Sequence, residues 1–286
     1  MPERELVFLE SGNGYVALAR GRDPHYGIYL EPLECMWQFP SPFACVDEDL
    51  AREFTESIES GIGDWNLLIL TGLYPHSSFF RKLTSALEKR FRLVLLGSAT
   101  RISARITDGV DGFLTRRSRN FRASLKQSSR RCEDLGVEFE EHCEVRSMDH
   151  SLLLYERVLD VERRSHKGRS EKGIDQPGMC QFYELMLPRL VERGGLRLIF
   201  ARHEGRDIGF VFGGVKGLLF RGLQMSFDEE YARCSLGNLL QMQMMIQLER
   251  EGTAVYDLGS DMDYKRRWGE ERFVTVSLGV TRGGGL

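Results

Sequence analysis

Leu196-Arg197-Leu198-Ile199-Phe200-Ala201, Ile208-Gly209-Phe210-Val211-Phe212-Gly213-Gly214-Val215 and Leu218-Leu219-Phe220-Arg221-Gly222-Leu223-Gln224-Met225 are three apolar runs, with Glu204-Gly205-Arg206-Asp207 and Lys216-Gly217 as the turns between them. Runs of this length bounded by glycine-containing turns read as three strands in succession. They lead to Ser235-Leu236-Gly237-Asn238 and then to Leu239–Arg250, where Leu239, Leu240, Met242, Met244, Met245, Ile246 and Leu248 leave almost no polar face. Such a helix must be buried on more than one side. Gly252 ends it, Ala254–Leu258 reads as a strand, Asp263–Gly269 as a short helix and Phe273–Val280 as a final strand.

Upstream of the three runs, Asp149–Arg164 is predicted to be a helix with Leu152, Tyr155, Val158 and Leu159 inward, residues 165–178 a polar loop, and Phe182–Arg193 a helix closed by Gly194-Gly195. In the first hundred residues, strands are expected at Leu6–Leu9, Tyr15–Ala19 and Gly27–Leu30. The order helix, strand, helix, strand follows at Asp47–Ser60, Asn66–Leu70, His76–Arg90 and Arg92–Leu96. Between the two halves, Thr115–Leu135 carries Arg116, Arg117, Arg119, Arg122, Lys126, Arg130 and Arg131, with no acidic residue between Asp111 and Glu133. A helix there presents a basic surface around Phe121 and Leu125.

With 286 residues, 42% hydrophobic and 28% charged, the chain has the composition of a folded globular protein longer than one typical domain. A net charge of -3 offers no global attraction to a polyanion, so any such site must be local. No apolar run approaches the ~20 residues of a membrane span and the first residues lack a signal-peptide pattern, which places the protein in the cytoplasm with no membrane partner. Six scattered cysteines, Cys35, Cys45, Cys132, Cys143, Cys180 and Cys234, without zinc-ligand spacing, read as reduced thiols, and no metal is expected.

Several segments sharpen the order of elements. Ser165-His166-Lys167-Gly168, Leu196-Arg197-Leu198 to Gly209-Phe210, Tyr231 to Asn238, Tyr256-Asp257-Leu258-Gly259 and Tyr264-Lys265 to Trp268 together resemble the CelD-like branch of the GNAT acyltransferase superfamily, a branch related to the FemABX aminoacyl transferases. His166, Leu236 and Leu258 depart from the Trp, Pro and Phe of that branch's pattern. The resemblance covers about residues 110–282 and the first hundred only loosely. It implies an α/β (α+β) fold of two GNAT-like halves, each a mixed, mostly antiparallel sheet flanked by helices and joined by a basic helix. The expected division is a degenerate half at residues 1–112, the basic helix and connection at 113–145, and the acyltransferase half at 146–286.

For that chemistry, the resemblance assigns donor contacts to Arg233, Ser235, Leu236, Gly237 and Asn238. The start of a buried helix offers free N–H groups and a positive dipole end to a diphosphate, although the same residues also suit a plain helix cap. Asp257 and Asp261 are the candidate carboxylates for taking a proton from the attacking ammonium, Asp257 first; Asp263 is read as a cap. Tyr264 is the candidate donor to the leaving thiolate or a core residue. His166, Lys167, Lys265 and Trp268 are the candidate substrate residues, with packing against the sheet the alternative for Trp268.

The reading is an N-acyltransferase that moves an acyl group from acyl-coenzyme A, with acetyl-coenzyme A among the candidate donors, to an amine of a small metabolite, sugar or peptide lying between the halves. A bacterial source and a possible homodimer belong to the same expectation. Two alternatives stand beside it. One is FemABX-like transfer from aminoacyl-tRNA, with the basic helix holding the RNA; the other is a catalytically silent GNAT-like binding module.

Overall fold

The computed structural model describes residues 4–12, 14–33, 40–44, 49–143, 145 and 147–282. Cys35, Cys45 and the first residues of the helix expected from Asp47 lie outside them. The chain divides into two compact units, residues 1–101 with 272–286, and residues 102–271. This division differs from the expected boundaries at 112 and 145, because the basic helix packs into the second unit and the last strand pairs within the first.

In the first unit, strands β1 (Glu5–Ser11), β2 (Gly14–Asp23), β3 (Gly27–Pro32) and the short β4 (Phe43–Ala44) precede helix α1 (Leu50–Ser60), strand β5 (Leu67–Leu73), helix α2 (Ser78–Glu88) and strand β6 (Phe91–Arg105), whose last residues belong to the second unit. β2 pairs antiparallel with β1, β3 and β4, and β3 runs parallel to β5. β5 in turn pairs antiparallel with the last strand, β12 (Glu271–Arg282). Leu50, Phe54 and Ile58 of α1 recur every four residues and are buried, as their spacing predicts. They share a core with Leu68 and Leu70 of β5 and Leu278 and Val280 of β12.

The second unit continues with α3 (Gly109–Thr115), α4 (Arg119–Asp134), β7 (Glu138–His142), α5 (Met148–Arg164), α6 (His166–Arg169) and α7 (Pro177–Glu192). Next come β8 (Leu196–His203), β9 (Arg206–Lys216), β10 (Leu219–Phe227), α8 (Leu236–Arg250) and β11 (Val255–Ser260). Its strands lie in the order β11-β10-β9-β8-β7. All of these pairs are antiparallel except β10 with β11. The apolar runs that opened the reading are continuous because both faces of the sheet are covered. Leu198, Phe200, Phe210 and Phe212 face α5 and α7, while Ile199, Ala201 and Val211 face α3, α4 and α8. The α8 helix is buried on several sides, as its composition predicts.

The structure corrects three local expectations. Residues 165–178 are not a loop throughout: Ser165 accepts a bond from Gly168 N at 3.2 Å to start α6, and Pro177 opens α7. The helix expected at Asp263–Gly269 is a single 3-10 turn, Lys265–Arg267. The expected strand at Arg92–Leu96 extends through Arg105.

Candidate functional site

β10 and β11 run side by side for three residue pairs, Leu219↔Val255, Phe220↔Tyr256 and Arg221↔Asp257, and there their pairing ends. β10 goes on to Phe227 along β9, with a bulge between Gly222 and Gln224, while β11 departs toward Ser260. The parting strands open a wedge in which, among the described residues, β10 keeps β9 on one side and has no strand pairing on the other beyond Arg221. Gly222 stands at the parting, where a Cβ would meet Tyr256 Cε2 at 3.0 Å.

Arg221 and Asp257 close the base of the wedge. Arg221 Nη1 donates to Asp257 Oδ2 at 2.7 Å, and Gly259 N donates to Asp257 Oδ1 at 2.9 Å. The Asp257 side chain is 5% exposed. Through these two bonds the carboxylate fixes the Arg221 guanidinium at the base of the wedge.

Lys265 reaches the same point from the turn after β11. A Cβ on Gly259, whose φ is +83°, would lie 3.5 Å from Lys265 Nζ and 3.7 Å from Arg221 Nη2, so the two cationic heads meet over bare backbone. The Lys265 side chain makes no ion pair or hydrogen bond among the described residues, and its Nζ lies 5.7 Å from the centre of the Tyr264 ring. Burial, helped by the neighbouring Arg221, brings its pKa down to about 8 against the opposing pull of Asp257, and Lys167 acts in the same downward direction.

A second polar group flanks the wedge. Lys167 Nζ donates to Gln224 Oε1 at 3.1 Å, and Gln224 Nε2 donates to the Tyr183 hydroxyl at 2.8 Å. Glu162, wholly buried, lies 3.8 Å from Lys167 Nζ; its Oε1 accepts from Ile174 N at 3.0 Å and its Oε2 from Ser165 Oγ at 3.4 Å. Burial lowers the Lys167 pKa despite that carboxylate. The Ser165-His166-Lys167-Gly168 segment now has a physical reading. Ser165 caps the turn, Lys167 turns inward, and Gly168 lies where a Cβ would fall 2.1 Å from the Glu162 carbonyl. His166 points away: its side chain is exposed and Nδ1 lies 3.1 Å from Glu229 Oε1.

The other expected residues are spread more widely. Asp261 accepts from Arg266 Nε at 2.7 Å. Asp263 caps nothing and pairs with Arg266 in solvent. Tyr264 is 45% exposed, and desolvation raises its pKa, which weakens it as an acid toward a thiolate. Trp268 has the surroundings of the packing alternative. It is wholly buried, stacked on Phe113, edge-on to Phe121, and its indole N–H donates to Asn238 Oδ1 at 3.2 Å. That bond also occupies the Asn238 side chain.

At the entry to α8, Ser235 has φ +53°, an uncommon conformation for a residue with a side chain. Ser235 makes no side-chain cap. Leu236 is wholly buried, so only its backbone could meet a ligand. Gly237 serves packing: a Cβ there would lie 3.2 Å from Met225 Cε and from Phe227 Cε1. Arg233 is exposed, and its carbonyl accepts from Arg131 Nη1 at 3.0 Å.

Four residues of the cluster were not singled out from the sequence: Arg221, Gln224, Glu162 and Tyr183. Arg221 is a lone cation in an apolar run and Glu162 an acid beside Val158 and Val161, and charges at apolar positions are the signal that could have found them.

The basic helix is partly spent on its own unit. Arg116 Nε donates to Glu270 Oε1 at 2.6 Å, and Arg117 pairs with the same carboxylate. Arg122 donates to the Arg117 carbonyl at 2.6 Å. Arg119, Lys126 and Arg130 remain exposed. Among the described residues, no cluster of His, Cys, Asp or Glu could hold a metal ion, and no helix is long and apolar enough to cross a membrane.

A wedge between two parallel strands, beside a helix that starts at the end of one of them, is the architecture of an acyltransferase scaffold. The chain belongs to the acetyltransferase (GNAT) domain family, whose model matches residues 119–266. No curated protein matches the chain in sequence. Solved structures resemble it over nearly its full length. A conserved protein of unknown function from Bacteroides thetaiotaomicron is 13% identical, with 96% of this chain and 85% of the other covered and a TM-score of 0.63. The C-terminal domain of a putative lysylphosphatidylglycerol synthetase from Agrobacterium fabrum is 15% identical, with 98% and 84% covered and a TM-score of 0.63. FemX is 12% identical, with 96% and 88% covered and a TM-score of 0.61. The expected kinship with the GNAT superfamily and its FemABX-related branch therefore holds at the level of fold.

Proposed function

We propose that the protein is an N-acyltransferase that moves an acyl group from a thioester donor, acyl-coenzyme A, to an amine of a small metabolite, sugar or peptide within the β10/β11 wedge. The observation that carries this reading is the end of strand pairing at Arg221↔Asp257, which bares the β10 edge beside a cationic cluster. In this scheme the N–H groups of that edge hold the carrier's amide arm and the thioester carbonyl. The start of α8 takes the donor phosphates through the backbone of Ser235, Leu236 and Gly237. The neutral amine nitrogen attacks the carbonyl carbon, the C–S bond breaks, and the proton lost from nitrogen ends on the departing thiolate, giving amide and thiol. A cytoplasmic location and a homodimer remain part of this proposal.

A second reading, aminoacyl transfer from tRNA, is favoured by the exposed Arg119, Lys126 and Arg130 of α4. One experiment separates the readings: purified protein is offered acyl-coenzyme A donors or aminoacyl-tRNA with a panel of amines, and free thiol or labelled product is measured. Amine-dependent thiol release supports the thioester reading. Product from aminoacyl-tRNA alone, weakened by salt and by Arg119→Glu, supports the second, and no turnover with either donor would leave a silent binding module.

A further inference from the structure

Among the described residues, Lys265 brings to the wedge a positive charge with no carboxylate paired to it, beside the Arg221–Asp257 and Lys167–Glu162 pairs. Three cationic heads, Arg221, Lys265 and Lys167, gather there against two carboxylates, Asp257 and Glu162, and both carboxylates are engaged. Arg221 and Lys265 converge over Gly259, which offers backbone and no side chain between them. Lys167, held by Gln224 on the neighbouring stretch of β10, is close enough for its charge to be felt at Lys265. Like charges brought together in a partly desolvated site cost free energy, and an anion of matching geometry recovers it. Tyr264, Tyr256 and Tyr183 are further titratable neighbours of this group, and phenols add no negative charge at neutral pH.

The cluster is separate from the place where donor phosphates would sit. The start of α8 packs at Met225 and Phe227, four to six residues farther along β10 than Arg221, or roughly 13 Å or more at the usual strand rise. An anion held at Arg221 and Lys265 therefore belongs to the reacting end of the substrates and not to the carrier.

We infer that the amine acceptor bears an anionic group, a carboxylate or a phosphate, seated between Arg221, Lys265 and Lys167 at the base of the wedge. The inference rests on the acyl-transfer reading and narrows its substrate class to anionic amines. The acceptor's charge docks on the cations, which leaves its amine directed into the wedge. Asp257 and Glu162 act as positioning residues, holding Arg221 and the Lys167 turn.

Calorimetric titration of the full chain with ethanolamine, β-alanine and phosphoethanolamine tests this, because the three amines share a two-carbon spacing and differ in the distal group. At least one anionic amine is expected to bind at least about tenfold tighter than ethanolamine, as charge-assisted bonds would give; preference for β-alanine identifies a carboxylate, and for phosphoethanolamine a phosphate. Lys265→Met and Lys167→Met should each shrink that preference, and Lys265→Arg should retain it. Equal binding of the three amines, binding by none, or a preference that survives Lys265→Met unchanged overturns the inference. Thiol release from acetyl-coenzyme A is followed with the same amines. A charge preference in binding with no turnover from any donor would refute acyl transfer and spare the anion site, whereas equal turnover with ethanolamine would do the reverse.

Discussion

Lys265 carries a measurable signature of its surroundings. Its ammonium is half-buried beside Arg221 and Lys167, and its pKa falls to about 8 from the usual 10.5. Between those two values the unfolded chain binds more protons at this residue than the folded one, so stability rises with pH across that window. Below about pH 8 the residue is charged in both states, and the fold bears the full cost of holding that charge. Thermal unfolding from pH 7.5 to 10 should therefore show a stabilising slope that is smaller in Lys265→Met, and identical slopes in the two proteins would contradict the assignment. Lys265 and Asp257 drew attention in the sequence because Asp257 stands in a strand and Lys265 follows it, inside a recognisable pattern. Their electrostatic setting was not, since it is made by Arg221 and Lys167, 44 and 98 residues away in sequence. Long-range pairing leaves no local periodicity, only the oddity of a charge at an apolar position.

At the scale of elements, the turn from α5 into α6 decides where Lys167 sits. Gly168 brings that turn against the end of α5, and a methyl group there would fall 2.1 Å from the Glu162 carbonyl, a distance that backbone must move to relieve. Gly168→Ala is expected to destabilise the protein by about 1–3 kcal/mol, the usual cost of overpacking, and to withdraw Lys167 from Gln224. Denaturant unfolding measures the first effect and loss of amine binding the second; an alanine variant with wild-type stability and binding would show that the turn is looser than its geometry. The sequence marked this segment as a loop because it is polar and contains glycine, and polarity hides a helix whose only inward residues are a lysine and a serine cap. The same blindness covers β7, Glu138–His142, which among the described residues pairs only with β8 and has the acidic composition of an edge strand. The elements buried on both sides, β8, β9 and α8, were legible for the opposite reason: burial writes itself as apolar runs.

At the scale of the whole molecule, β12 belongs to the first unit although the second unit separates it from the rest of that unit in sequence. β12 pairs with β5 through Val276↔Leu73 and Leu278↔Leu70 to Thr281↔Leu67, and it buries Leu278 and Val280 in the first unit's core. The first unit is therefore discontinuous in sequence, and the site residues from Glu162 to Lys265 all lie in the second. Hydrophobic periodicity shows that residues 273–280 form a strand but not which sheet receives it, since pairing partners are chosen by tertiary contacts. Removal of residues 272–286 takes away two buried aliphatic side chains, about 3–6 kcal/mol by transfer alone, together with a central strand's hydrogen bonds. That is a large part of the net stability of a domain, so the first unit should lose cooperative unfolding while every residue of the wedge remains in the chain. Hydrogen exchange should report it as rapid exchange at Leu67–Leu73 in the truncated protein, set against retained protection in β8 and β9. If β5 kept its protection, β12 would be dispensable to the first core; if β8 and β9 lost theirs as well, the two units would have to fold as one cooperative body rather than as separate ones.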